Sequence, residues 1–159
     1  MLKSAVLYYS RTQKTAITAK ALADKISGDL FEIKDLKSRK SIIGWIRALM
    51  DARGNKTTII DPSTIDTSNY DTICIGTPVW AGKPTPALNT MLKNFEITGK
   101  DIIIFVTLGG AKYKNTLNLI KTDVEANGGN VIKTFAITNT GKKSDEEIKA
   151  EVNNLNIQL

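Results

Sequence analysis

The sequence predicts an α/β domain: a parallel sheet with helices on both faces, a three-layer doubly wound sandwich. Three observations support this. Strand-like and helix-like segments alternate five times along 159 residues, with no long gap between them. Three of the strand segments, SAVLYY, DTICIGTP and DIIIFVTLGG, are almost continuously apolar, as strands covered on both faces must be. The helical segments place their apolar residues on one stripe, as helices packed on a sheet do.

The elements follow in order. Ser4 to Tyr9 is a short run of β-formers bounded by Ser10 and reads as a buried strand. From Gln13 to Ile26, Ala19, Leu22, Ala23 and Ile26 recur at helical spacing, and Gly28 stops the helix. LFEIKDL alternates apolar and polar residues, the pattern of a strand with a solvated side. A helix from Ser41 to Ala52 is expected to pack Ile42, Trp45, Ile46 and Leu49 on the sheet and to end near Gly54. Asn55 to Tyr70 reads as one long irregular stretch. DTICIGTP is the next buried strand, ended by Pro78, and Pro86 to Phe95 the next helix. DIIIFVTLGG is the most apolar strand. Leu117, Ile120 and Val124, stopped at Gly128-Gly129, mark a helix, and VIKTFAIT a final strand. Ser144 followed by Asp145, Glu146 and Glu147 is an N-cap with an acidic first turn, opening a last helix that buries Ile148, Val152 and Leu155. No repeat or linker interrupts the series, so residues 1–159 are read as one domain.

Composition narrows the chemistry. There is no histidine, which removes the commonest general base and the usual ligand for transition metals. The single cysteine, Cys74, lies inside a buried strand and forms no internal disulfide or metal cluster. Reactivity therefore has to come from a cofactor. No signal peptide and no membrane-length apolar run is read, so a cytoplasmic protein is expected. The net charge of +6 is uneven: Lys34 to Lys56 holds seven cations against Asp35 and Asp51, a local +5. Such a patch suits an acidic protein, a membrane surface or nucleic acid. The near-neutral remainder argues against chain-wide nucleic-acid binding.

In open α/β sheets, ligands bind beyond the carboxyl ends of the strands. Three loops stand out there: SRTQKT, TPVWAGKPTP and TLGGAKYKN. The first opens a helix, whose free N–H groups favour an anion, and Ser10, Thr12 and Thr15 add hydroxyls. The set suits one phosphate monoester. The glycines of a P-loop or a dinucleotide fold are missing. The alternative is that Thr12 or Thr15 simply caps the helix. In the second loop Pro78 and Gly82 frame Trp80, expected on an exposed, mobile turn unless it packs back on the core. In the third, Gly109 and Gly110 allow close backbone approach to a ligand, or are only a turn, and Tyr113 follows. Together the loops describe a site for a flat ring with a phosphorylated tail.

The motif S-x-T-x-x-T at Ser10, Thr12 and Thr15, GTPVWAG after the third strand and VTLGG after the fourth resemble the flavodoxin family. Element order agrees across the chain, and the uninterrupted fifth strand resembles the short-chain form. The resemblance implies a five-stranded parallel sheet of order 2-1-3-4-5, bound FMN, and one-electron transfer between redox partners. By position, it implies that Ser10, Arg11, Thr12, Lys14 and Thr15 hold the phosphate. Thr77, Pro78, Val79, Trp80, Ala81 and Gly82 would form one wall of the ring pocket, and Leu108, Gly109, Gly110 and Tyr113 the other. Trp80 is the residue expected to stack on the ring. Gly82 would meet the N5 edge, where a backbone carbonyl accepts from N5–H. One departure is charge: electron carriers of the family are usually acidic, whereas Lys83, Lys112 and Lys114 sit in these loops. They imply partners with an acidic docking face and a less negative second reduction step. A monomer or weak dimer is expected.

The main rival is an FMN-dependent oxidoreductase passing hydride from NAD(P)H to a quinone-type acceptor, for which no second nucleotide motif is seen. A receiver domain needs acidic residues after the first strand and an Asp after the third; Ser10-Arg11-Thr12 and Thr77-Pro78 stand there instead. A cysteine phosphatase needs a Cys in the first loop, which has none.

Overall fold

The three most apolar strand segments lie side by side at the centre of one sheet. In chain order the elements are β1 (Ser4–Tyr9), α1 (Lys14–Ile26), β2 (Asp29–Asp35), α2 (Ile42–Arg53), β3 (Ile60–Asp61), β4 (Thr72–Pro78), α3 (Pro86–Asn94), β5 (Asp101–Thr107), α4 (Lys114–Ala126), β6 (Asn130–Ile137), a 3₁₀ turn (Thr140–Lys142) and α5 (Asp145–Asn153). The computed structural model describes residues 3–37, 42–54, 56–157 and 159, with residues 42, 45, 48, 49 and 53 described by their backbone alone.

The sheet order is β3-β2-β1-β4-β5-β6. β2, β1, β4, β5 and β6 pair in parallel, and β3 runs antiparallel to β2. This corrects the expected five-stranded, all-parallel sheet: it is six-stranded and mixed. The additional strand is two residues long and lies inside the stretch read as irregular. Ile60 is buried against the core, its neighbour Ile59 accepts a hydrogen bond from Leu36 N–H, and Pro62, which has no N–H to give a ladder, follows Asp61. Two residues are too few to show a period in a sequence.

Burial explains the patterns. β1 is buried along its length, as are β4 up to Thr77 and β5 after Asp101. β2 and β6, further out, alternate with exposed positions. α1 and α5 cover one face, packing Ala19, Leu22, Ile148 and Val152 over Val6, Cys74, Ile103 and Phe105. α3 and α4 cover the other, with Leu88, Met91, Leu117, Ile120 and Val124 over Leu7, Ile73, Ile75 and Ile104.

The ends of the helices agree with the sequence in most places. Thr85 caps α3 and Pro86 takes its first turn. At α5, Glu147 N–H donates to Ser144 Oγ at 3.2 Å and Ser144 N–H to Glu147 Oε2 at 2.7 Å, a complete capping box. At the end of α1 the left-handed residue is Ser27 (φ 52°), and Gly28 N–H then closes onto Ala23 O. Helix α2 departs further. Ile46 is exposed, so that part of the expected stripe does not pack on the sheet. The side chains of Ile42, Trp45 and Leu49, and the residues from Ser38 to Ser41, lie outside the described part.

One glycine is fixed by close approach. Gly76 pairs with Phe105, whose ring stacks on Phe135 at 5.4 Å and covers the glycine. A Cβ at Gly76 would stand 2.0 Å from the ring edge. Gly76→Ala should therefore destabilise the protein by roughly 1–3 kcal/mol through overpacking. Adding Phe105→Leu should return part of that loss in urea unfolding, whereas additive losses would show that the ring is not the obstacle. Burial pushes the Cys74 thiol up to about 12 from 9.0. Its contribution to stability is whole below the ordinary thiol range and lost as pH rises toward the folded value. The native protein should leave Ellman's reagent unreacted at pH 8 and react fully in denaturant.

Candidate cofactor site

Parallel pairing delivers the ends of β1, β4 and β5 to one edge of the sheet, and the three loops start there. The first runs from Ser10 into α1. Its last residue, Gln13, is left-handed (φ 66°), and its own side chain does not cap the helix. Neither Thr12 nor Thr15 is a cap; the hydroxyl that reaches a first-turn N–H of the helix is that of Ser10. Ser10 Oγ accepts from Ala16 N–H at 3.3 Å. Arg11 and Thr12 are exposed at the rim. Thr15 is 1% exposed, and its hydroxyl shares a 2.7 Å hydrogen bond with that of Thr107 at the end of β5. Lys14 turns away: its Nζ donates to Lys143 O at 3.1 Å and to Asp145 Oδ1 at 3.0 Å, pinning α1 to the start of α5. As an anion-binding set, the loop thus offers the N-terminus of α1, Ser10, Arg11 and Thr12. The ammonium of Lys14 and the hydroxyl of Thr15 are already engaged.

The second loop is a tight turn. Trp80 and Lys83 exchange two backbone hydrogen bonds of 3.0 Å around Ala81 (φ 50°) and Gly82 (φ 75°), the pattern of a type I′ turn, in which glycine is favoured at positive φ. The expected exposure of Trp80 is corrected here. Its side chain is 4% exposed and meets Tyr9 edge-to-face at 5.7 Å. The reason is that the turn folds Trp80 back over the end of β1. Thr77 is also fully buried, bonded to Thr85 through their hydroxyls at 2.9 Å. Pro78, Val79, Ala81 and Gly82 keep some exposure.

The third loop is tied to the segment after β6. Leu108 N–H donates to Ile137 O, Thr140 N–H to Leu108 O and Asn139 N–H to Gly110 O. Gly109 and Gly110 are exposed, and a Cβ on either would meet nothing within 4 Å. No neighbour explains a glycine there, whereas a ligand lying on bare backbone would. Tyr113 is partly exposed and packs on the core at the start of α4.

Two further residues belong to this edge. Asn115 Nδ2 donates to Gly82 O at 3.4 Å, joining the second and third loops. It therefore already engages the carbonyl expected to face N5. Thr116 is fully buried in the first turn of α4, and its hydroxyl has no partner among the described residues. Asn115 ends the segment TLGGAKYKN and Thr116 follows it; what the sequence does not show is the contact of Asn115 with the second loop.

A cavity of about 790 Å³ opens beside the first loop, lined by Tyr9, Ser10, Arg11 and Thr12 on one side and Glu32 to Lys37 on the other. The second and third loops do not line it, so it adjoins the first loop alone. The three loops, residues 10–15, 77–83 and 108–114, hold Arg11, Lys14, Lys83, Lys112 and Lys114 and no acidic residue. The mouth is therefore positive. Among the described residues there is no cluster of His, Cys, Asp or Glu able to hold a metal.

The sequence model of the Flavodoxin family matches residues 3–155. The chain belongs to the flavodoxin family. FMN is the cofactor of flavodoxins. The chain is 29% identical to a flavoprotein from Lactobacillus acidophilus solved in complex with FMN, covering 89% of this chain and 96% of that one with a TM-score of 0.71. A flavoprotein from Bacteroides uniformis is 26% identical over 95% and 97% of the two chains, with a TM-score of 0.80. Flavodoxin 2 from Bacillus cereus shares the fold at 15% identity, over 96% and 93%, with a TM-score of 0.61. Among curated proteins none matches the chain significantly.

The start of α1, with the hydroxyls of Ser10 and Thr12, and the open glycine backbone fit a phosphorylated ring ligand. The lock between loops one and three is testable. Thr15→Val or Thr107→Val alone strands one buried hydroxyl and should cost about 1–3 kcal/mol. The double substitution removes both hydroxyls and should cost less than the two single losses added. Chemical denaturation of all four proteins checks the coupling.

Proposed function

We propose that this flavodoxin-family chain binds FMN and carries electrons between redox partner proteins. The observation that supports it best is the start of α1: a helix N-terminus flanked by Ser10, Arg11 and Thr12, at the same sheet edge as the bare backbone of Gly109 and Gly110. The L. acidophilus relative, solved with FMN, lends weight to the choice of ligand.

In this reading, Ser10, Arg11 and Thr12, with the backbone N–H groups of Lys14 and Thr15, bind the phosphate. Pro78, Val79, Ala81 and Gly82 flank the ring on one side, and Leu108, Gly109 and Gly110 on the other. Trp80 packs edge-on against Tyr9, so the partly exposed Tyr113 is the aromatic left to meet the ring. FMN supplies the one- and two-electron chemistry, which no residue of this histidine-free chain could supply. The side chains bind, orient and exclude water. Lys83, Lys112 and Lys114 attract an acidic docking face and favour negative charge on a reduced ring. We infer a cytoplasmic carrier acting as a monomer or weak dimer.

FMN should quench on addition to the purified chain with one site per molecule. Riboflavin, which lacks the phosphate, should bind at least about tenfold more weakly. Equal affinities would remove the phosphate role of α1, and no binding of either would overturn the proposal. Under anaerobic conditions the bound flavin should bleach with dithionite and resist NADPH. Prompt bleaching by NADPH would make the chain an oxidoreductase and not a carrier.

The cations make a second prediction. Lys83→Glu should shift the second reduction step to more negative potential at low salt, with the difference shrinking as salt rises. Equal midpoints in a redox titration would show that Lys83 does not feel the ring.

A further inference from the structure

Helix α2 leaves an aliphatic stripe in water. Among its described side-chain positions, the buried ones are Gly44 and Ala52. Ile43, Ile46 and Met50 follow at three- and four-residue spacing, so they share one face, and they are 67%, 52% and 65% exposed. A helix packed on a sheet ordinarily turns such residues inward. The strands flanking α2 repeat the pattern. Leu36 directly follows β2 and Ile59 directly precedes β3; they are joined by a 2.9 Å backbone hydrogen bond and are likewise exposed. Of the eight exposed large apolar side chains among the described residues, five fall between Leu36 and Ile59. The exposure is thus concentrated on one segment and not scattered as on an ordinary surface.

That segment is also the most cationic of the chain. Residues 34–56 carry seven Lys and Arg against Asp35 and Asp51. Lys37, Arg47 and Lys56 are exposed, and Arg47 stands one residue from Ile46 on α2. An aliphatic stripe edged by cations is the pattern of a helix lying in a membrane interface.

We propose that α2 docks this protein on an anionic lipid surface, with Ile43, Ile46 and Met50 entering the acyl boundary and the cations meeting the headgroups. A second copy is disfavoured because it would bring two segments of net +5 together. A nucleic acid would use the cations and leave the isoleucines in water. A folded protein partner would need a groove shaped to a convex ridge, whereas a fluid interface accepts one without prior shape. The docking is peripheral: among the described residues no helix is long and apolar enough to cross a membrane. The inference does not depend on flavin, so its failure leaves the FMN reading intact.

The test is flotation of the full chain with vesicles at low salt. It should float with phosphatidylcholine vesicles containing phosphatidylglycerol and stay behind with phosphatidylcholine alone. The triple variant Ile43→Ser, Ile46→Ser, Met50→Ser should bind the anionic vesicles about tenfold more weakly, and so should Lys37→Glu with Arg47→Glu. Far-UV circular dichroism and FMN binding check that the variants keep the fold. No flotation with anionic vesicles overturns the proposal. Loss with the charge variant but not with the aliphatic one also overturns it, since the contact would then be a bare electrostatic attraction. Wild-type self-association in the ultracentrifuge that the aliphatic variant abolishes would assign the stripe to a second copy instead.

Discussion

The parallel register of β1, β4 and β5 is the constraint on which the candidate site depends. Tyr8 pairs with Gly76 and Gly76 with Phe105, so the three strands run out within a residue or two of one another, at Tyr9, Pro78 and Thr107. Three loops without one tight ligand motif among them become one site because their starting points are fixed together. The register in turn needs Gly76: a side chain there would displace the Phe105 ring that covers both strands. Packing at the centre and the convergence of three loops at the edge are consequences of the same pairing.

Hydroxyl groups hold that edge without burying charge. Every buried polar side chain among the described residues is Ser or Thr. Thr15 meets Thr107, and Thr77 meets Thr85. Each pair satisfies two polar groups inside an apolar environment, where an unpaired charge would be far more costly. The pairs also show why a threonine in a motif does not by itself mean contact with a ligand. Thr12 is at the rim and Thr15 is underneath it, though both belong to the same S-x-T-x-x-T pattern.

The sheet, the helices on both faces and the acidic capping box of α5 were legible because each leaves a periodic or capping signal over several residues. What escaped reading has local physical causes. β3 is two residues long and has no period. Ile46 sits on an apolar stripe, and a sequence does not say which way a helix with buried Gly44 and Ala52 will turn. Trp80 was placed outside because Pro78 and Gly82 mark a turn; the type I′ geometry that folds it back onto Tyr9 depends on Ala81 taking positive φ, which alanine does not advertise. Asn115 meets Gly82 of the second loop only in three dimensions. For the site itself, the positions of the loops were readable, but the division of labour within them was not. Lys14 is drawn to Asp145 on α5, 131 residues away in sequence.

The charge of the mouth links binding and partner choice. Asp29, Asp71 and Asp101 stand at the amino ends of β2, β4 and β5, while Arg11, Lys83, Lys112 and Lys114 stand in loops at the carboxyl ends. The N-terminus of α1 adds its own partial positive charge at the second end. All of these favour an anion at the same edge, but over different ranges. The helix terminus and the hydroxyls of Ser10 and Thr12 act at hydrogen-bond distance, where salt screens little. The exposed lysines act through water, where a Debye length of about 8 Å limits them at physiological ionic strength. Salt therefore separates the two roles: phosphate binding should persist where attraction of an acidic partner fades. On the proposed reading, a basic mouth is compatible with the flavodoxin fold, because a cofactor held by the short-range set would leave the long-range charge free to select the partner.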